Sequence, residues 1–170
     1  QRTGRKGVSI MAKHKEEKTN VMRTLDQKKI PYTAHSYDPD GPIDGVSVAQ
    51  TLGQSVERVF KTLVTKAASG AYYVFDIPVA ENLDLKKAAR AVGEKSVAML
   101  PQKELLGLTG YVHGGCSPVG MKKQFPTVFH ETALLYDTIC VSAGKIGAQV
   151  ECSPQALIAL LRAKTADIIV

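Results

Sequence analysis

Val59-Phe60-Lys61-Thr62-Leu63-Val64-Thr65-Lys66 is an apolar, β-branched run, and after Ser69-Gly70 it is answered by Ala71-Tyr72-Tyr73-Val74-Phe75-Asp76-Ile77-Pro78. Two runs of strand-forming residues around a Ser-Gly turn predict an antiparallel hairpin over residues 59–66 and 71–78. Upstream, Thr19 can cap a helix over residues 20–29 that Pro31 ends, residues 32–37 read as a strand, and Asp38-Pro39-Asp40-Gly41-Pro42 is turn chemistry. Ser47-Val48-Ala49-Gln50 fits a capping box for a short helix ending near Gly53. Downstream, Asn82 or Asp84 caps a helix through Ala91 and Gly93 closes it. Residues 96–99 form a weak strand, and 101–106 a helical turn or two with proline first. Residues 127–131, 138–142 and 148–152 read as three more strands, Ser153-Pro154 starts a helix buried through Leu157, Ile158, Leu160 and Leu161, and 166–170 adds a last strand. Six or seven short strands in irregular order with three or four helices imply a mixed α+β domain, not a doubly wound sheet.

With 170 residues, the chain has the size of one domain. Residues 1–10, polar and rich in Gly and Arg before Met11, read as an artificial leader or a disordered segment, leaving 11–170 as the domain. No apolar run approaches the roughly 18 residues of a bilayer span, and no hydrophobic signal core follows the basic start, so a cytoplasmic location is expected. The net charge of +6 is confined to residues 1–29, which hold nine Lys/Arg against three Asp/Glu; the remainder balances thirteen against thirteen. Electrostatic binding of nucleic acid would then rest on local groups such as Lys86, Lys87, Arg90 and Lys95, or Lys122 and Lys123, which serve equally as solvated faces.

Cys116, Cys140 and Cys152 are odd in number and too widely spaced for a CxxC pair, and read as reduced structural thiols. His14, His35, His113 and His130 form no metal-binding spacing, so neither metal nor cofactor is expected. Three segments remain that could carry chemistry. Lys61 interrupts an apolar strand, which suits an edge-strand lysine with its head in water, or a half-buried cation at a pocket wall that steadies a developing oxyanion. Gly114-Gly115-Cys116-Ser117-Pro118-Val119-Gly120 is either a tight structural turn or a loop whose amides approach a ligand closely. It is no serine-hydrolase elbow, because the spacing is wrong and Pro118 has no amide hydrogen to donate. It is no phosphate loop, since no Gly-Lys-Ser/Thr follows. Cys116 has no partner identifiable from sequence that would make it a thiolate. Ser142-Ala143-Gly144-Lys145-Ile146-Gly147 is a second glycine turn, explained by a hairpin unless it shares a hollow with Lys61.

In this order, Phe60-Lys61-Thr62-Leu63, residues 110–123, Ser142-Ala143-Gly144-Lys145 and Ala166-Asp167-Ile168 resemble the YbaK type of the prolyl-tRNA synthetase editing-domain superfamily over residues 20–169. The resemblance implies a mostly antiparallel, barrel-like mixed sheet with peripheral helices. It also implies a trans-editing aminoacyl-tRNA deacylase that clears Cys-tRNA(Pro), with tRNA(Pro) and possible ternary association with prolyl-tRNA synthetase as partners, no membrane and no cofactor. Lys61 matches the family's essential lysine; Tyr37, Phe60 and Thr62 match pocket residues; Gly114, Gly115 and Ser117 match one substrate loop, and Ser142 and Gly144 another. In this family the substrate thiol is thought to attack its own ester, so no protein nucleophile is needed. Gln149 stands where some members carry an acid, and Cys116 where some relatives have an apolar residue. The alternatives are an Ala-tRNA(Pro) deacylase that uses water, and a non-catalytic module that binds tRNA or a synthetase.

Overall fold

The computed structural model describes residues 17–170. Residues 1–10, Met11 and His14 therefore lie outside the described residues. Helix α1 (Asn20–Gln27) starts at Thr19, whose hydroxyl accepts from the Met22 amide, and buries Val21, Met22 and Leu25. Strand β1 (Tyr32–Ser36) leads to α2 (Gly45–Thr51). That helix begins earlier than the capping box predicts, because the Asp44 carboxylate caps it by accepting from the Ser47 amide.

The hairpin forms as expected: β2 (Phe60–Ala67) pairs antiparallel with β3 (Tyr72–Pro78), Lys61 opposite Ile77 and Thr62 opposite Asp76. Helix α3 (Leu85–Val92), capped by Asp84, is followed by β4 (Val97–Met99) and α4 (Gln102–Thr109). In α4 proline is the cap, Pro101, and the helix runs three residues beyond the expected end. Then come β5 (Thr127–His130), β6 (Ile139–Ser142), β7 (Ala148–Cys152), α5 (Pro154–Leu161) and β8 (Lys164–Ala166). The last strand lies earlier than predicted; beyond it Ile169 makes only a bridge to Leu83.

The strands form two sheets, ordered β1-β7-β6 and β4-β2-β3-β5-β8, mostly antiparallel but with β5 parallel to both β3 and β8. The mixed α+β class is as expected, with eight strands and five α-helices among the described residues. The barrel-like sheet is in fact two sheets, touching where Val59 bridges Cys140. Between them lies the main core, with Phe60, Val64, Val74 and Phe129 from one sheet and Ile139, Val141 and Val150 from the other. A second core, including Phe75 and Ile77, lies under α3. One detail of this packing positions the site. Strand β4 pairs only with Thr65–Ala67, so the Phe60–Val64 half of β2 is left to face the three-stranded sheet.

Candidate active site

At that uncovered half of β2 the sheets enclose a cleft of about 330 Å³. Its walls come from Phe60, Lys61 and Thr62 of β2, Tyr37 after β1, the Ile43–Val46 segment, His113, Gly114 and Cys116 of the first glycine loop, and Ser142 and Gln149 of β6 and β7. The two rival readings of Lys61 are thus separated by position: it borders a hollow shared with both glycine segments and is half-buried. Among the described residues its ammonium makes no hydrogen bond or ion pair. Burial pushes its ammonium pKa down, and the neighbouring Glu81 carboxylate pushes it back up.

The glycine loops meet backbone to backbone. A β-carbon on Gly115 would lie 3.0 Å from the Ile146 amide nitrogen and 3.1 Å from the Lys145 carbonyl carbon, so a bare backbone is what allows this contact. The first loop is held shut from within, with Tyr111 Oη donating to the Val119 carbonyl (2.5 Å) and Ser117 Oγ accepting from the Val119 amide (3.3 Å). In the second, Ser142 Oγ accepts from the Gly144 amide (3.1 Å), and the Gly147 carbonyl accepts from the Tyr37 amide (3.0 Å). Tyr37, Phe60, Lys61, Thr62, Gly114 and Ser142 therefore line the cleft, whereas Gly115, Ser117 and Gly144 do not border it.

Gly144 has φ of +96°, and a β-carbon there would lie 3.0 Å from Tyr111 Cε1 and 3.1 Å from Val21 Cγ2. Gly144→Ala combines left-handed strain with overpacking, and is expected to lower unfolding free energy by about 2–4 kcal/mol. Urea unfolding at unchanged m-value measures it, and a loss below about 0.5 kcal/mol would contradict this packing.

The protein's own nucleophile candidates are weak on these surroundings. Ser117 is fully buried, its oxygen already engaged inside the loop. Cys116 borders the cleft, but burial and the nearby Asp76 carboxyl push its thiol up to about 12, away from a reactive thiolate. Cys140 and Cys152 are likewise free and buried, with thiols pushed up to about 12 by burial first. His35, Cys140 and Glu151 place ligand-type atoms within 4.8 Å of one another. Glu151 is nonetheless committed to Thr138 (2.5 Å), His35 (2.8 Å) and Arg58 (3.5 Å), which holds its carboxyl below the usual range.

Two further polar residues belong to this neighbourhood: Gln149, singled out in the sequence only as standing where some members carry an acid, and Asp76, which the sequence reading does not single out. Gln149, nearly fully buried, accepts from Gln54 Nε2 (2.7 Å) at the cleft wall. Asp76 is completely buried behind Thr62, and its Oδ1 and the Thr62 hydroxyl oxygen are joined by a hydrogen bond of 2.6 Å. Asp76 gives the same signal as Lys61, a charge inside an apolar strand. Of the basic groups noted in the sequence, Lys87 is engaged with Asp167 and the Ile169 carbonyl, both at 2.9 Å.

The chain is 47% identical over 160 residues, 93% of its length and 98% of the other's, to a protein of Enterococcus faecalis assigned as a Cys-tRNA(Pro)/Cys-tRNA(Cys) deacylase, EbsC. A solved structure described as a trans-editing enzyme for prolyl tRNA synthetase superposes with a TM-score of 0.73 at 28% identity, covering 86% of this chain and 92% of that one. The fold is also that of a solved hypothetical protein, at a TM-score of 0.82 and 23% identity, covering 89% of this chain and 100% of the other. Residues 44–160, which span both glycine loops and Lys61, match the model of the aminoacyl-tRNA editing domain, and the chain belongs to that family.

Proposed function

We propose that the chain, as one editing domain over residues 11–170, removes cysteine in trans from mischarged Cys-tRNA(Pro), with the substrate's own thiol as nucleophile. The observation that carries this reading is a cleft that joins a half-buried lysine, its ammonium unpaired among the described residues, to two glycine turns and offers among those residues no reactive nucleophile. The substrate of the Enterococcus faecalis relative fits such a site.

In this scheme the substrate sulfur forms a bond to the ester carbonyl carbon, the carbon–oxygen bond to the ribose breaks, and the thiol proton ends on the ribose hydroxyl. The product is a cyclic thiolactone. Lys61 is the catalytic group, placing its ammonium at the carbonyl oxygen as negative charge develops there. Tyr37, Phe60 and Thr62 hold the cysteinyl end; the Gly114, Gly115 and Ser117 loop and the Ser142 and Gly144 turn fix its position, so that proximity supplies much of the acceleration. An alanyl ester has no thiol and is spared. Outside residues 1–29 the charges balance, which favours delivery of the tRNA in a ternary complex with prolyl-tRNA synthetase over tight binding of free tRNA. Among the described residues no helix is long and apolar enough to cross a membrane; the cytoplasmic role belongs to the tRNA-editing reading.

Reaction of the protein with Cys-tRNA(Pro), followed by mass analysis of the released product, tests the scheme. Thiolactone is expected, with Ala-tRNA(Pro) left intact. Free cysteine as the primary product, or equal turnover of the alanyl ester, overturns it.

A further inference from the structure

Asp76 is a buried carboxyl with one side-chain partner among the described residues. Its side chain is fully buried, Oδ1 is bonded to Thr62 Oγ1 at 2.6 Å, and Oδ2 is buried with no hydrogen-bond partner among the described residues. A buried group left half-satisfied costs stability, so it calls for a physical reason. Thr62 borders the cleft beside Lys61, which makes Asp76 the layer directly behind the proposed reaction site.

We propose that Asp76 is a positioning residue for the deacylation, controlling through its hydrogen bond whether the Thr62 hydroxyl proton points back into the protein or forward to the substrate. The inference rests on the deacylase reading of the cleft. An ionised Asp76 accepts only, so it holds the Thr62 proton on the protein side and leaves an oxygen lone pair facing the substrate. A neutral Asp76 donates to Thr62 Oγ1, which frees the threonine hydroxyl to donate to the ester oxygen next to Lys61. The second arrangement is the productive one for a reaction that accumulates negative charge on that oxygen.

Burial raises the Asp76 pKa to about 8, opposed only by the Thr62 hydrogen bond, so the neutral acid prevails at pH 7. Among the described residues, three groups are placed against it by hydrogen bond, charge or register. Strand β2 contributes Thr62, the glycine loop contributes Cys116 with its thiol at about 12, and β5 sets Phe129 in register. None of these titrates between pH 6 and 9.5.

The test measures kcat and KM for Cys-tRNA(Pro) from pH 6 to 9.5 in wild type, Asp76→Asn, Thr62→Val and the double variant. Asparagine cannot ionise. The kcat of Asp76→Asn relative to wild type is therefore expected to rise about tenfold between pH 7 and pH 9, the change in neutral fraction set by a pKa near 8, with KM little altered. Titration of Lys61 and of the substrate thiol cancels in that ratio. In the Thr62→Val background the pH-dependent gain is expected to disappear. A ratio independent of pH, or a gain that survives without the Thr62 hydroxyl, overturns the proposal. Absence of turnover in wild type would instead sink the deacylase reading. The same ratio would then be read from the affinity of an unreactive, amide-linked cysteinyl-adenosine, where a pH-independent value again overturns the role of Asp76.

Discussion

Lys61→Ala is expected to lower kcat/KM for Cys-tRNA(Pro) by at least about a hundredfold, the usual cost of removing one preorganised oxyanion donor, while thermal unfolding stays within about 2 °C of wild type. The two halves of this expectation have separate causes. The activity falls because Lys61 is the one lysine or arginine among the described residues that line the cleft, and a neutral donor such as the Thr62 hydroxyl cannot replace its charge at the developing oxyanion. Cys116 and Ser117 are unreactive. The fold is spared because the Lys61 ammonium has no hydrogen bond or ion pair among the described residues, so truncation orphans nothing. Its partial desolvation is unfavourable, and losing it offsets the lost packing of the stem. Lys61→Arg is expected to restore little, since a planar fork cannot take the place of a compact ammonium in a wall set by β2. Folded Lys61→Ala protein with turnover near wild type would remove the lysine from the mechanism.

Some parts of this architecture are legible in the amino-acid sequence and others are hidden, for physical reasons. The hairpin is readable because β2 and β3 carry dense β-branched and aromatic residues around Ser69-Gly70, and local signals of that kind act within a few residues. Thr19, Asp84 and Ser153 are readable as caps for the same reason. The start of α2 is ambiguous because Asp44 and Ser47 are both competent caps, and the fold takes the earlier one, with Gly45 packed closely against Val79. The split into two sheets is not visible, since it depends on β4 covering only the far end of β2. At the site, the glycine loops announce themselves by composition, but their contact at Gly115 is long-range. The Ile43–Val46 wall is an ordinary loop in sequence and gains its place only from the fold. Asp76 shares the signal that marks Lys61, yet its burial depends on β5 and the Cys116 loop closing over β3.

That burial makes Asp76 the source of the largest expected pH effect on stability. In the unfolded chain its carboxyl titrates near the ordinary aspartate value of 3.8, and in the folded protein near 8. Between those values the native state holds a proton that the unfolded state has released, so the contribution of this group to stability is whole below about pH 4, falls as pH rises, and is exhausted above about 8. Asp76→Asn removes the titration while keeping the volume and a donor for Thr62. The variant is therefore expected to match wild type within about 1 kcal/mol at pH 4 and to exceed it progressively up to pH 8, by several kcal/mol in the limit set by the shift. For a chain of this length that is a Tm difference of roughly 5 °C or more at pH 8, levelling off above. Glu151 and Asp167, whose carboxyls are held below the usual range, work in the opposite sense at acid pH, and are common to both proteins, so they cancel in the difference. Denaturation at a series of pH values measures the curve directly. Parallel curves for the two proteins from pH 4 to 9 would mean that Asp76 ionises as freely in the native state as in the unfolded chain. It could not then be the buried, neutral acid behind Thr62, and both its cost to the fold and its hold on the hydroxyl would vanish together.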